Sequence, residues 1–265
     1  MNGTVRLVKW ALAGFCVARS GEALASAGKE LVLTIPGPGK VQLRMKQIPA
    51  GTFVMGSPMA EKGRIGEEGP THQVVISKSF CLGVYEVTLA QWEAVMGTYP
   101  SELNENPTNP VEQVCWEDCE EYLRKLNGMG IGTFRLPTEA EWEYAGRAGT
   151  QTAYSFGDDV RKLGEYAWYD GNSGDTVHQV GTKKPNPWGL YDMHGSVWEW
   201  CSNWYDDYNM AEQTDPKGAA GGPYRVFRGG SWSSPSEYCR SASRDWFRPS
   251  YRDDCLGFRL VMAAS

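Results

Sequence analysis

From Gly146 to the C-terminus the chain is built largely from Gly, Asn, Asp, Trp and Tyr, and few runs there are long enough for a helix. This is the strongest constraint on its fold, because the second half must then be held by short strands and ordered loops. Eleven tryptophans in 265 residues supply what sparse regular structure lacks. Each ring buries a large area and can fill a core between loops. Helices are therefore expected in the first half, and the fold class is α+β.

The first half carries the helix signals. Thr88 followed by Gln91, ahead of Trp92, Val95 and Met96, forms a capping-box start. Val114 to Leu126 reads as an amphipathic helix closed by Asn127-Gly128, with Cys115 and Cys119 on one face as buried thiols. Thr138 and Glu141 repeat the capping pattern within Phe134 to Ala145. Glu30 to Ile35 and Val41 to Met45 read as a hairpin about Pro36-Gly37-Pro38-Gly39, and Val74 to Ile76 and Phe80 to Tyr85 as buried strands. A single domain is expected over residues 30–265, preceded by a leader at residues 1–29.

Within that leader, Arg6 and Lys9 precede the apolar stretch Trp10 to Ala18, and Ala23-Leu24-Ala25 offers small residues for cleavage; Arg19 and Glu22 interrupt the pattern. Export or cell-surface display and a cytoplasmic location stand equally open. No apolar run approaches the roughly 20 residues that cross a bilayer, so an integral membrane protein is not expected. A net charge of -6 with dispersed basic residues argues against a general nucleic-acid footprint. Seven cysteines without CxxC spacing, beside three histidines, argue against zinc.

The C-terminal segment, about 225–261, alternates a regular frame with two irregular inserts. The frame is Arg225-Val226-Phe227-Arg228-Gly229-Gly230-Ser231-Trp232, Cys239-Arg240-Ser241-Ala242 and Leu256-Gly257-Phe258-Arg259-Leu260-Val261. The inserts, Ser233 to Tyr238 and Ser243 to Cys255, mix aromatics, charges and serines with neither helical nor strand periodicity. Rigid aromatics and Arg give a binding face area at low entropic cost, while Ser and Asp adapt their hydrogen bonds. Candidate contact residues are Ser233, Ser234, Ser236, Tyr238, Ser243, Asp245, Trp246, Phe247, Arg248, Ser250, Tyr251, Arg252, Asp253, Asp254 and Cys255. Trp246, Phe247, Tyr251 and Tyr238 are the expected anchors, and Arg248, Arg252, Asp245 and Asp253 would add charge complementarity. An ordinary surface loop whose rings pack on the frame is the alternative. Arg228, Arg244 and Arg259, beside Gly and Trp, read as internal salt bridges, and His194 as ordering its loop.

Arg135-Leu136-Pro137-Thr138-Glu139-Ala140-Glu141-Trp142, Asn186-Pro187-Trp188-Gly189-Leu190-Tyr191-Asp192-Met193-His194-Gly195-Ser196-Val197-Trp198-Glu199-Trp200, Arg228-Gly229-Gly230-Ser231-Trp232 and Gly257-Phe258-Arg259 together resemble the formylglycine-generating enzyme (sulfatase-modifying factor) family over about residues 44–262. The resemblance implies a loop-rich C-type lectin-like fold of small twisted antiparallel sheets with a few flanking helices. It also implies Ca²⁺ held by Asp192, Gly195, Val197 and Glu199, hard oxygen ligands of the kind Ca²⁺ takes. The family's oxidase uses copper on two cysteines shortly after the RGxS motif; Cu(I) prefers such soft thiolates. Here the matching segment, Ser233 to Tyr238, holds no cysteine, so no copper is expected and the resemblance leans against the parent chemistry.

The frame also resembles the retroelement-diversified variable proteins of that family, in which adenine-directed mutagenesis turns Asn codons into codons for Ser, Asp, Tyr, Phe, Arg or Cys. The inserts hold many such residues and no Asn, while Pro235, Glu237 and Trp246 are not simple products. The resemblance implies a protein that displays a diversified surface to a protein or cell-surface ligand. An enzyme with altered chemistry and a non-catalytic structural module are the other two expectations.

Overall fold

A computed structural model describes residues 28–37, 39–101 and 106–263, so the leader reading falls almost wholly outside the described residues. In chain order the strands are β1 Glu30–Thr34, β2 Gln42–Ile48, β3 Gly51–Met55, β4 His72–Ile76, β5 Phe80–Gly83, β6 Phe134–Arg135, β7 Trp198–Trp204, β8 Gln213–Thr214, β9 Arg225–Arg228, β10 Arg244–Phe247, β11 Leu256–Gly257 and β12 Val261–Ala263. The helices are α1 Leu89–Met96, α2 Trp116–Gly128, α3 Glu139–Arg147 and α4 Leu163–Tyr166. Beyond α4 no α-helix occurs among the described residues, as the Gly, Asn and Trp content of that half requires.

Helix starts follow their side chains. The Thr88 hydroxyl accepts the Gln91 amide at 3.3 Å while Gln91 accepts the Thr88 amide at 3.0 Å, and Thr138 and Glu141 repeat this reciprocal pair at 3.1 and 2.8 Å. α2 begins later than its periodicity suggests. Cys115 is its N-cap, with its amide held by Asp118 at 2.9 Å, and both Cys115 and Cys119 are buried.

The strands form three sheets, ordered β1-β2-β5-β12-β6, β3-β4-β8 and β10-β9-β7-β11. The antiparallel expectation needs one correction, because β11 pairs with β7, and β8 with β4, in parallel. Both newcomers are only two residues long and arrive through long loops, and such connections free a strand from hairpin geometry. One apolar cluster joins α1, α2 and the Phe258 region; another packs around α3. Every residue of α3 is buried, charged ones included, so this helix can persist only if its carboxylates find cations.

Candidate binding face

Arg135 meets Glu141 and Arg147 meets Glu143 from nearby in sequence, and the other cations come from the C-terminal segment. Arg228, on β9, meets Glu143 and donates to the Ala242 carbonyl at 2.7 Å. Arg244, at the start of β10, holds both oxygens of Glu139 at 2.8 and 2.9 Å. Arg240 reaches Glu61 at 2.6 Å and Glu68 at 2.8 Å, and Arg259 grips Glu199 through two bonds of 2.6 Å. Breaking one such buried pair strands a charge in low dielectric and costs about 3–5 kcal/mol. Between the frame's strands the chain reverses at Gly230 (φ +74°), where a Cβ would stand 2.8 Å from the Cys239 sulfur.

On this foundation β9 fixes the direction of the second insert. Asp245 lies opposite Phe227 and Trp246 opposite Val226, so Asp245 and Phe247 share a sheet face with Phe227, while Trp246 takes the other. Trp200 pairs with Phe227, which puts Trp198 and Trp200 on the Asp245 face as well. The Phe227 ring meets Trp198 and Trp200 edge-on, each at 5.3 Å, and Trp198 meets Tyr238 at 6.4 Å. Tyr238 and Phe247 are 42% and 45% exposed, so the rim of this aromatic floor is open.

Beyond β10 the insert crosses the start of α2. The Trp116 amide donates to Pro249 and the Gln113 amide to Asp253, both at 2.9 Å, and Arg252 pairs with Asp118. The Tyr251 ring packs against Phe247 at 4.1 Å, tilted by 40°, and its hydroxyl donates to Asp253. That bond, with some burial, pushes the Tyr251 pKa up to about 12. Burial works against the Asp253 carboxylate, yet bonds from Cys255 and Tyr251 hold it below its ordinary value. Burial and then Asp253 push the Cys255 thiol up to about 12, which keeps it protonated.

The candidate contact residues therefore divide. Ser233, Ser236, Tyr238, Phe247, Arg248, Ser250 and Arg252 are exposed or half-buried, as are Asp245, Trp246, Tyr251, Asp253, Asp254 and Cys255. Ser234 and Ser243 are corrections. Both are buried; the Ser234 hydroxyl is bonded to Ser231 at 2.8 Å, and the Ser243 carbonyl accepts from Arg228. Trp246 is no free anchor either, because its ring stacks on Tyr205 at 3.9 Å on the far side of the sheet. Sequence reasoning also missed the floor supplied by Trp198 and Phe227, although the two-residue alternation of Trp198 and Trp200 in β7 was a usable signal.

Beside the first insert, Ser236, Glu237 and Arg240 line a cleft of about 860 Å³ whose other walls come from residues 58, 60–63, 151–154 and 158–161. His194 lies buried behind its wall. Its Nδ1 donates to the Cys239 carbonyl at 2.9 Å, and its Nε2 accepts from the Ser155 hydroxyl at 2.8 Å. Burial lowers its pKa to about 4, so the ring is neutral and ties two loops together.

The expected calcium ligands sit elsewhere. Glu199 is spent: it accepts Trp142 Nε1 at 2.7 Å besides Arg259, and it is fully buried. Asp192 accepts the Gly181 amide at 2.7 Å with Oδ2, but its buried Oδ1 has no partner among the described residues. Neither oxygen of the buried Glu86 receives an N–H or hydroxyl donor among the described residues, and its carboxyl lies within hydrogen-bonding reach of Asp192, so the two acids can share a proton. Burial raises both groups, Asp192 to about 6 and Glu86 well above its ordinary value. A hard cation thus fits the donors at Asp192 and Glu86, and not Glu199.

No disulfide forms among the described cysteines. Cys239 packs with Ala153, Tyr154, Leu163 and Ala167, whereas Cys255 packs against Trp232, Val177 and Val197. Frame Cys239 and insert Cys255 thus lie in different clusters.

Residues 38–264 match the sulfatase-modifying factor enzyme 1-like domain, and the chain belongs to that family. Its fold is the family's loop-rich C-type lectin-like fold. The formylglycine-generating enzyme of Streptomyces coelicolor is 36% identical over 65% of this chain and 58% of that protein. Serine/threonine-protein kinase pkn1 of Chlamydia pneumoniae is 32% identical over 85% of this chain and 39% of that protein. The chain thus spans 39–58% of the length of these curated relatives. Among solved structures, Treponema denticola variable protein 1 superposes with a TM-score of 0.81 at 32% identity, covering 89% of this chain and 99% of the other. PvdO from Pseudomonas aeruginosa gives 0.77 at 30% identity, covering 83% and 94%.

Proposed function

We propose that the chain is a ligand-binding variable protein whose contact surface is the open face formed by its two C-terminal inserts, diversified by a retroelement. One observation carries this reading. Arg228, Arg240, Arg244 and Arg259 are buried and paired with carboxylates, while most of the residue types that adenine-directed mutagenesis would produce lie on the accessible side. Likeness to a variable protein over 89% of the chain supports it. The flanking DNA is expected to carry an adenine-rich copy of the segment encoding residues 225–261 and a reverse transcriptase gene. Absence of both would overturn the diversification.

A second proposal concerns the loop around Asp192. Its unpaired oxygen and those of Glu86 favour Ca²⁺, with the Gly195 and Val197 carbonyls as further oxygen donors. Calcium added after chelation should raise the melting temperature, and Glu86→Gln should abolish that rise. An unchanged melting curve for the unsubstituted protein would dismiss the ion.

A further inference from the structure

Asp245 is held in an unusual position for a carboxylate. It sits on β10 across from Phe227, on the face floored by Trp198 and Trp200 and continued by Phe247. Among the described residues its carboxylate accepts one hydrogen bond, from the adjoining Trp246 amide at 2.7 Å, and makes no ion pair. Burial raises its pKa, and no cation offsets that effect. A half-desolvated carboxylate in this condition gains more from an incoming charged donor than an exposed one does.

Nearby cations are already engaged. Arg240 serves Glu61 and Glu68, Arg244 serves Glu139, and Arg252 serves Asp118. Arg225, across from Phe247, lies between the Trp116 and Trp204 rings at 3.7 and 3.5 Å. Arg248 is exposed at the turn that follows β10. The face therefore combines open aromatic rings with a carboxylate whose second oxygen awaits a donor. Aromatic faces attract a cation and cover an aliphatic stem, and the carboxylate accepts its N–H groups.

Resting on the reading of this face as a contact surface, we infer that it receives a lysine or arginine side chain of a protein partner, with the cationic head on Asp245 and the stem against the exposed rings of Tyr238 and Phe247. A quaternary ammonium fits less well, because it has no N–H to give Asp245.

The test is selection of a displayed random-peptide library on the immobilised full chain, in parallel on Asp245→Asn and on Tyr238→Ser/Phe247→Ser. On the unsubstituted chain, peptides with a basic residue at a shared position should be enriched. Replacing that residue by norleucine in a selected peptide should weaken binding about tenfold or more. Asp245→Asn should erase this preference. Enrichment without a basic residue, or the same preference on Asp245→Asn, overturns the inference. If such non-basic peptides are still lost on the double variant, the face remains a binding surface and only cation recognition falls. Peptides indifferent to both variants, or none enriched, remove both readings.

Discussion

Arg244 and Asp245 are neighbours in sequence and opposites in circumstance. Arg244 is buried, with both oxygens of Glu139 in hand; Asp245 is half-buried, with one backbone amide and no counter-charge. The same contrast holds across the C-terminal segment. Buried arginines of the segment are matched by carboxylates from the rest of the fold, whereas the exposed parts of the inserts leave rings open and a carboxylate without a counter-charge. Buried ion pairs and open rings fall to separate residues, and strand alternation puts the two sets within one step of each other.

The largest expected effect tests the frame. Arg259→Met would leave the buried Glu199 with Trp142 alone, and chemical denaturation should show a loss of about 3–5 kcal/mol. A loss within about 1 kcal/mol would mean that the frame pairs do not hold the fold.

Next comes a pH effect on the frame's link to the cleft wall. His194 has a folded pKa near 4 and an ordinary value of 6.5, so the unfolded chain takes up its proton first as pH falls. Stability from this group is complete above pH 6.5, declines through the interval down to about 4, and then levels after a loss of about 3 kcal/mol. Asp192, raised to about 6 from 3.8, acts with opposite sign over its own interval. The difference between unsubstituted and His194→Gln denaturation curves isolates the histidine. A difference that does not change with pH would show that its ring is not held neutral.

Smaller effects sharpen the division within the inserts. Trp246→Ser removes a ring stacked on Tyr205 and should cost about 1–2 kcal/mol by thermal denaturation. Tyr238→Ser and Phe247→Ser should stay within about 0.5 kcal/mol, since both rings are open. Equal costs for all three would erase the distinction between a packed ring and displayed ones.

Much of the scaffold was legible beforehand, and the reasons are local. The Thr88 and Thr138 caps and the β1–β2 hairpin follow from side chains close in sequence. The parallel partners β8 and β11 were not legible, because two residues carry no periodicity. The face was readable in composition but not in depth. Ser234 and Ser243 look like their exposed neighbours, and only the packing of the frame beneath them decides their burial. Trp246 was misplaced because its residue type was weighed and its alternation with Phe247 was not.

One carboxylate deserves a final inference. Glu139 stands 3.5 Å from Arg228 and 2.8 Å from Arg244, so a single residue of α3 fastens both strands of the β9–β10 pair. Tolerance to change beyond position 244 then has a physical origin. A side chain introduced at 245 or 247 inherits a backbone already moored from below, so this surface can be altered without renegotiating the fold beneath it.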